Sequence, residues 1–212
     1  MRLRKKQWAR PYIEKNPFAI LKPFEYKGKW GGVFGNDNPI HLELGVGRGG
    51  HFYERALNNK DINYIGIELK DEVLIDGLVS ITEGALTNGR LIPLNIMNME
   101  GIFDKGEIER IYINFCNPWP KIRHQKRRLT HPRFLKLYKD ILKEDGEIWF
   151  KTDDIALFED SILYFKESDF NLTYISYDLH NSDFDDNIVT EYEEKFMGLG
   201  FKIMFLKAVL NY

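Results

Sequence analysis

A chain of 212 residues and 25.0 kDa, 43% apolar, 14% aromatic and 29% charged, is long enough to bury a sizeable core and excludes a disordered, collagenous or coiled-coil architecture. Its single cysteine excludes a disulfide framework and a multi-cysteine zinc site, and histidines 41, 51, 124, 131 and 180 show no ligand spacing, so no metal is expected. The net charge of -2 conceals two basic segments without an acid: Arg2, Arg4, Lys5, Lys6 and Arg10, then Lys121, Arg123, Lys126, Arg127, Arg128, Arg133, Lys136 and Lys139. They hold 13 of the 30 basic residues, leaving 17 bases against 32 acids in the rest of the chain. A charge run is usually a solvated face, but runs this concentrated repel themselves and favour a polyanionic partner. No stretch approaches the roughly 20 apolar residues of a membrane span, and the basic N-terminus lacks a following apolar run. A cytoplasmic location without a membrane partner is therefore expected.

Residues 1–38 lack periodicity and carry Pro11, Pro17, Pro23 and four glycines, reading as an arm and loop that packs onto a domain or reaches past it. From Ile40 short apolar runs alternate with helical patterns. Strands are expected at Ile40 to Leu44, Tyr64 to Leu69, Leu91 to Leu94, Ile108 to Phe115 and Gly146 to Lys151. Helices are expected at Tyr53 to Leu57, Val73 to Leu86, Phe134 to Leu142 and Ile155 to Phe165. The tail reads as a strand from Leu172 to Leu179, an acidic loop, a short helix near Thr190 to Met197 and a last strand from Phe201 to Leu206. This alternation predicts an α/β fold with a doubly wound, mostly parallel sheet and an antiparallel C-terminal edge strand. Such folds bind ligands beyond the carboxyl ends of their strands.

After the first strand, Gly45, Gly47 and Gly50 fit the spacing G-x-G-x-x-G, and Glu68 ends the second strand where an acid would grip ribose hydroxyls. Spacing alone admits a nicotinamide dinucleotide. Glu43, two residues before the first glycine, would meet its pyrophosphate as a like charge and suits a cationic ligand better, such as S-adenosylmethionine.

The loop Cys116-Asn117-Pro118-Trp119-Pro120-Lys121 follows the fourth strand. Two prolines bracket Trp119 and stiffen the backbone, and the basic segment begins directly afterwards. An indole beside a polar amide and a run of bases reads as a surface for a nucleobase and its phosphates, with loop packing as the alternative for Trp119. Cys116 lacks an activating base apart from His124 and reads as a small buried side chain.

On these residues the chain resembles the bacterial tRNA (guanine-N7-)-methyltransferases of the TrmB type. The similarity covers nearly the whole chain. It is carried by Glu43-Leu44-Gly45-Val46-Gly47-Arg48-Gly49, by Ile65-Gly66-Ile67-Glu68, by Pro118-Trp119-Pro120-Lys121 with Arg123-His124 and Lys126-Arg127-Arg128-Leu129, by Phe150-Lys151-Thr152-Asp153, and by Thr190-Glu191-Tyr192-Glu193 before Phe196. The resemblance implies a single domain over 1–212, with 1–38 as its basic arm and loop, that transfers a methyl group from S-adenosylmethionine to N7 of a variable-loop guanine in tRNA. It implies Glu43, Gly45, Gly47, Glu68, Asn95 and Asn117 at the cofactor, and Asn117 and Asp153 as catalytic. Lys121, Asp153, Thr190, Glu191, Tyr192 and Glu193 would face the substrate, and Arg123, His124, Lys126, Arg127 and Arg128 the RNA. Asn95 and Asn117 stand where the family usually carries aspartates. Neutral guanine N7 has a lone pair and no proton, so an amide at 117 is compatible with a reaction that needs alignment more than a base. Two other readings stay open: an amino methyltransferase, because Asn117-Pro118-Trp119-Pro120 is similar to an Asn-Pro-Pro-aromatic loop, and a non-catalytic tRNA-binding relative. Monomer and homodimer are both compatible with the sequence.

Overall fold

The computed structural model describes residues 6–210, so Arg2, Arg4 and Lys5 of the first basic segment lie outside the described residues. The chain divides into two compact units, Met1–Asp104 and Lys105–Tyr212. Among the described residues seven strands form, ordered β3-β2-β1 in the first unit and β4-β5-β7-β6 in the second.

In the first unit β1 (Ile40–Leu44), β2 (Asn63–Glu68) and β3 (Gly89–Pro93) are parallel. Every residue of β1 is buried, which is why it reads as a short run rather than an alternation. The helices α3 (Gly50–Asn58) and α4 (Asp71–Glu83) follow β1 and β2. Gly66 in β2 is dictated by packing: a Cβ there would fall 2.4 Å from Val46 and 2.6 Å from Leu91.

Residues 6–38 take the packing alternative. They form α1 (Ala9–Lys15) and α2 (Trp30–Phe34) with a 3-10 turn at Pro23–Tyr26. Ile13 and Trp30 are fully buried, and the Trp30 indole donates to the Ile102 carbonyl at 3.1 Å. Ala19 makes a parallel bridge to Leu91, flanked by hydrogen bonds from Ile20 to Leu91 and from Leu91 to Phe18, which covers the outer edge of β3. The Arg90 guanidinium lies over Phe18 and Phe34 at 5.5 and 5.0 Å. Two of the arm's cations are matched inside the protein: Lys6 reaches Asp76 at 2.7 Å, and Arg10 reaches Asp71 at 3.4 Å and Glu14 at 3.1 Å.

In the second unit β4 (Ile108–Asn114) and β5 (Leu142–Thr152) are parallel, while β7 (Met204–Leu210) runs antiparallel between β5 and β6 (Phe170–Ser176). The antiparallel pair closes this side of the sheet with β6 outermost. Helices α5 (Pro132–Ile141), α6 (Ile155–Glu167) and α7 (Glu191–Met197) complete the unit. The last strand starts at Met204 rather than Phe201 because residues 198–201 terminate α7: Gly200 is left-handed at φ 80, and the Phe201 amide returns to the Phe196 carbonyl at 3.1 Å.

Candidate functional site

The glycine turn of the first unit is built from three left-handed residues, Gly45, Gly47 and Gly49, at φ 81, 59 and 86. A Cβ on Gly45 or Gly47 would meet nothing within 4 Å, so backbone faces open space there; on Gly49 it would lie 2.8 Å from the Gly77 Cα in α4. Gly50, the third glycine of the spacing, opens α3 instead, and the close helix approach falls to Gly49. The turn is tied to the end of β2. The amides of Gly45 and Val46 both donate to the Ile67 carbonyl, and Gly47 donates to Glu68 Oε2 at 3.0 Å while Lys70 donates to Oε1 at 2.9 Å.

Glu43 is buried at the end of β1 and accepts from His51 Nδ1 at 2.9 Å. Arg55 Nε points at the other ring nitrogen from 3.5 Å, leaving Nδ1 to carry the proton toward the carboxylate. Asn95, just beyond β3, is partly exposed, and its Oδ1 accepts from the Met97 amide at 3.0 Å. Glu43 and Glu68 thus lie at the carboxyl ends of β1 and β2, and Asn95 lies two residues beyond β3, the three strands being adjacent and parallel, with Gly45 and Gly47 in the first turn. Open backbone, an anchored carboxylate and a second acid beside the glycines fit the backbone approach, cation and ribose contacts that S-adenosylmethionine demands.

In the second unit the β4 loop holds two left-handed non-glycine residues within five positions, Phe115 at φ 50 and Trp119 at φ 43. Each costs about 1–2 kcal/mol, and such strain concentrates at functional sites. Specific bonds maintain it. Phe115 donates to the Lys151 carbonyl at 2.9 Å, and the Trp119 amide donates to Asn117 Oδ1 at 3.0 Å. Asn117 therefore shapes the turn with the same acceptor an aspartate would offer.

Arg128 differs from the other RNA-facing candidates. It is 3% exposed, donates to the Pro118 carbonyl at 2.7 Å and pairs with Asp160 of α6, so its guanidinium clamps the loop. Lys121, Arg123, Lys126 and Arg127 are exposed and His124 is partly so, along a 3-10 turn at Ile122–Arg127. Arg127 lies 5.0 Å over the Trp119 ring and His124 meets its edge at 5.6 Å. Burial first, then the positive field of Arg133, Lys126 and Arg128, lowers the pKa of His131.

A cleft of about 350 Å³ is lined by Phe115, Cys116, Asn117, Pro118, Thr152, Asp153, Asp154 and Tyr192. Asp154 caps α6 by accepting from Leu157 at 2.7 Å, which leaves Asp153 to face the cleft. Tyr192 packs on Phe115 with ring centroids 4.8 Å apart; burial, then the Asp153 charge, raises its hydroxyl pKa. Thr190 and Glu193 form a capping box at the start of α7, with Glu191 exposed beside them. Glu193 itself is fully buried, so it does not line the cleft. Desolvation pushes the Cys116 thiol up to about 12. Cys116 is partly exposed in the cleft lining rather than buried as expected, but its raised pKa disfavours the thiolate, so alkylation by iodoacetamide at pH 8 is expected to run about a thousandfold slower than at a fully solvated thiol and to rise tenfold per pH unit. Rapid labelling at pH 8, followed by mass spectrometry, would contradict this.

Among the described residues no group of three or more His, Cys, Asp or Glu is placed to hold a metal ion, and no helix is long and apolar enough to cross a membrane. Sequence reasoning missed His51 and Lys151. Lys151 had a signal, since a lysine between Phe150 and Thr152 in a buried strand requires a buried partner.

The strand order, glycine turn and acids at the strand ends define a class I methyltransferase of doubly wound α/β architecture. Solved structures that share that fold include an antibiotic-related methyltransferase (TM-score 0.65, 19% identity, 93% of this chain and 98% of the other covered) and the 16S rRNA methyltransferase KamB (TM-score 0.65, 11% identity, 87% and 94% covered). A family profile described as "Putative methyltransferase" matches residues 37–206. The chain is 61% identical to the tRNA (guanine-N(7)-)-methyltransferase of Clostridium tetani (strain Massachusetts / E88), over 100% of both, and 60% identical to that of Clostridium kluyveri, over 98% of this chain and 99% of the relative. The chain belongs to the tRNA (guanine-N(7)-)-methyltransferase family.

Proposed function

We propose that this protein methylates N7 of a variable-loop guanine in tRNA, working as one functional domain in the cytoplasm. The observation that carries the reading is the second-unit cleft, where Asp153 and Tyr192 share a rigid pocket with Asn117 while Lys121, Arg123, Lys126 and Arg127 stand exposed on the loop that continues from it. Glu43, Glu68 and Asn95, with the open backbone at Gly45 and Gly47, would hold S-adenosylmethionine, which supplies an electrophilic methyl group on a sulfonium. The chain's own work is positioning and charge. Guanine N7 needs no deprotonation, so no side chain has to act as base; alignment of N7 with the methyl carbon is the main requirement. Positive charge grows on the guanine ring, and the Asp153 carboxylate, facing the cleft, would stabilise it or accept from the base edge. Thr190, Glu191 and Tyr192 would shape the base pocket beside Lys121. Exposed Arg123, Lys126 and Arg127, with His124, would bind backbone phosphates and draw the target base out of its tertiary contacts.

The amino-methyltransferase reading is weaker because Asn117 Oδ1, the atom that would orient an exocyclic amine, has one of its two lone pairs committed to the Trp119 amide. Nucleoside analysis of unmodified tRNA incubated with the protein and S-adenosylmethionine is expected to yield N7-methylguanosine. Asn117→Asp retains the turn acceptor and adds negative charge, so it is expected to raise turnover. A methylated exocyclic amine would sink the N7 reading. Activity that appears only in Asn117→Asp would instead favour a non-catalytic relative.

A further inference from the structure

We infer that Lys151 is a positioning residue holding both walls of the second-unit cleft, and that Glu193, its buried counter-ion, braces the pocket from behind rather than touching the base. This rests on reading the cleft as the target-base pocket. Lys151 is the penultimate residue of β5, two before Asp153. Its carbonyl accepts from Phe115 at 2.9 Å and so fixes the start of the loop that carries Asn117. Its ammonium donates to Asn187 Oδ1 and the Ile188 carbonyl, each at 2.9 Å, and to Glu193 Oε2 at 2.7 Å. Those three bonds match the three protons an ammonium has to give.

Glu193 is equally committed. It is 0% exposed; Oε2 also accepts from the Thr190 amide at 3.2 Å, Oε1 accepts from Asn187 Nδ2 at 2.9 Å, and His180 Nε2 lies 3.0 Å from Oε1. A carboxylate so enclosed has no face for a guanine edge. What it does is start α7, through the capping box with Thr190, and thereby set Tyr192 against Phe115. A seven-residue helix has little stability of its own, so its placement depends on such an anchor. Removing one member of a buried ion pair leaves the other desolvated and unpaired, which the segment 187–193 escapes by moving away. One lysine therefore sets the distance between the loop bearing Asn117 and the helix bearing Tyr192.

The test compares Lys151→Met, Glu193→Gln and the double variant by kcat and KM for tRNA, affinity for S-adenosylmethionine, and amide hydrogen exchange. Lys151→Met keeps the carbonyl that holds Phe115 but loses the ammonium, and is expected to lower kcat/KM about 100-fold through misplacement of the wall formed by residues 187–193 and α7. Exchange protection should fall at residues 187–193 and hold at 63–68, with cofactor affinity within about threefold of the parent. The double variant should be no worse than Lys151→Met, because the two residues act as one unit. Multiplying losses with protection intact at 187–193 would mean that Glu193 acts on the base, and would overturn the inference. So would a loss of cofactor affinity and of protection at 63–68, which would make Lys151 a general fold residue. Should the parent protein leave tRNA unmethylated, the proposed function fails but the exchange experiment still decides the brace. Should Lys151→Met not fold, Asn187→Ala and Glu193→Gln carry the same measurement.

Discussion

Asp153→Asn is expected to reduce kcat/KM for tRNA about 100-fold or more while leaving the affinity for S-adenosylmethionine nearly unchanged. The substitution preserves shape and removes one negative charge from the cleft wall. Asp154, not Asp153, caps α6, so the helix start survives the change. What disappears is a preorganised charge facing the site where the guanine ring becomes cationic, and loss of one such electrostatic contact typically costs about 10²–10³ in rate. The loss should fall on kcat more than on KM, because the ring is neutral in the ground state and charged only as the methyl group is transferred. Steady-state kinetics with unmodified tRNA and calorimetry with the cofactor check both halves. A kcat within threefold of the parent would remove Asp153 from the reaction.

Gly49→Ala is expected to destabilise the protein by roughly 2–5 kcal/mol, a large part of the ~5–15 kcal/mol that holds a typical domain together. Two costs combine. The left-handed backbone at φ 86 costs an L residue about 1–2 kcal/mol. The new methyl group would sit 2.8 Å from the Gly77 Cα, a backbone atom that cannot rotate away, so α3 and α4 must separate at an overpacking cost of about 1–3 kcal/mol. Separation would also drag the turn holding Gly45 and Gly47, so cofactor affinity should fall with stability. Urea unfolding measures the first effect and calorimetry the second. Gly32→Ala is the control: it lies in α2 with nothing within 4 Å of an added Cβ and should be neutral or slightly stabilising. A Gly49→Ala protein within 1 kcal/mol of the parent would contradict the close approach.

Much of the fold was legible because parallel strands buried on both faces, such as β1 and β2, read as compact apolar runs, and α5 and α6 carry apolar faces at helical spacing. Residues 6–38 were harder. Their buried side chains, Ile13, Ile20 and Trp30, are spread over short elements without a shared period, so only contacts distant in sequence reveal them as part of the core. The ends of the last strand were misjudged for a similar reason, since Phe201 serves the terminus of α7 through a bond to Phe196. Among the candidate site residues, Glu43, Gly45, Gly47 and Glu68 lay in one readable motif because the strand-to-helix turn is local. Asn117 and Asp153 lie 36 positions apart, and only the parallel pairing of β4 with β5 brings their loops to one cleft.

By itself the sequence determined the alternation of elements, the glycine turn, the charge segregation and the family, because each depends on residue type and short-range spacing. Tertiary structure decided which charges are available. Arg128 and Glu193 look like neighbours of exposed Arg127 and Glu194 in the text, yet both are buried, one clamping Pro118 to Asp160 and the other answering Lys151. The physical reason is that each of these two groups is enclosed by partners within the fold, which leaves it no face for a ligand. The ion-pair partner stands 32 residues away for Arg128 and 42 for Glu193, beyond the reach of any local pattern.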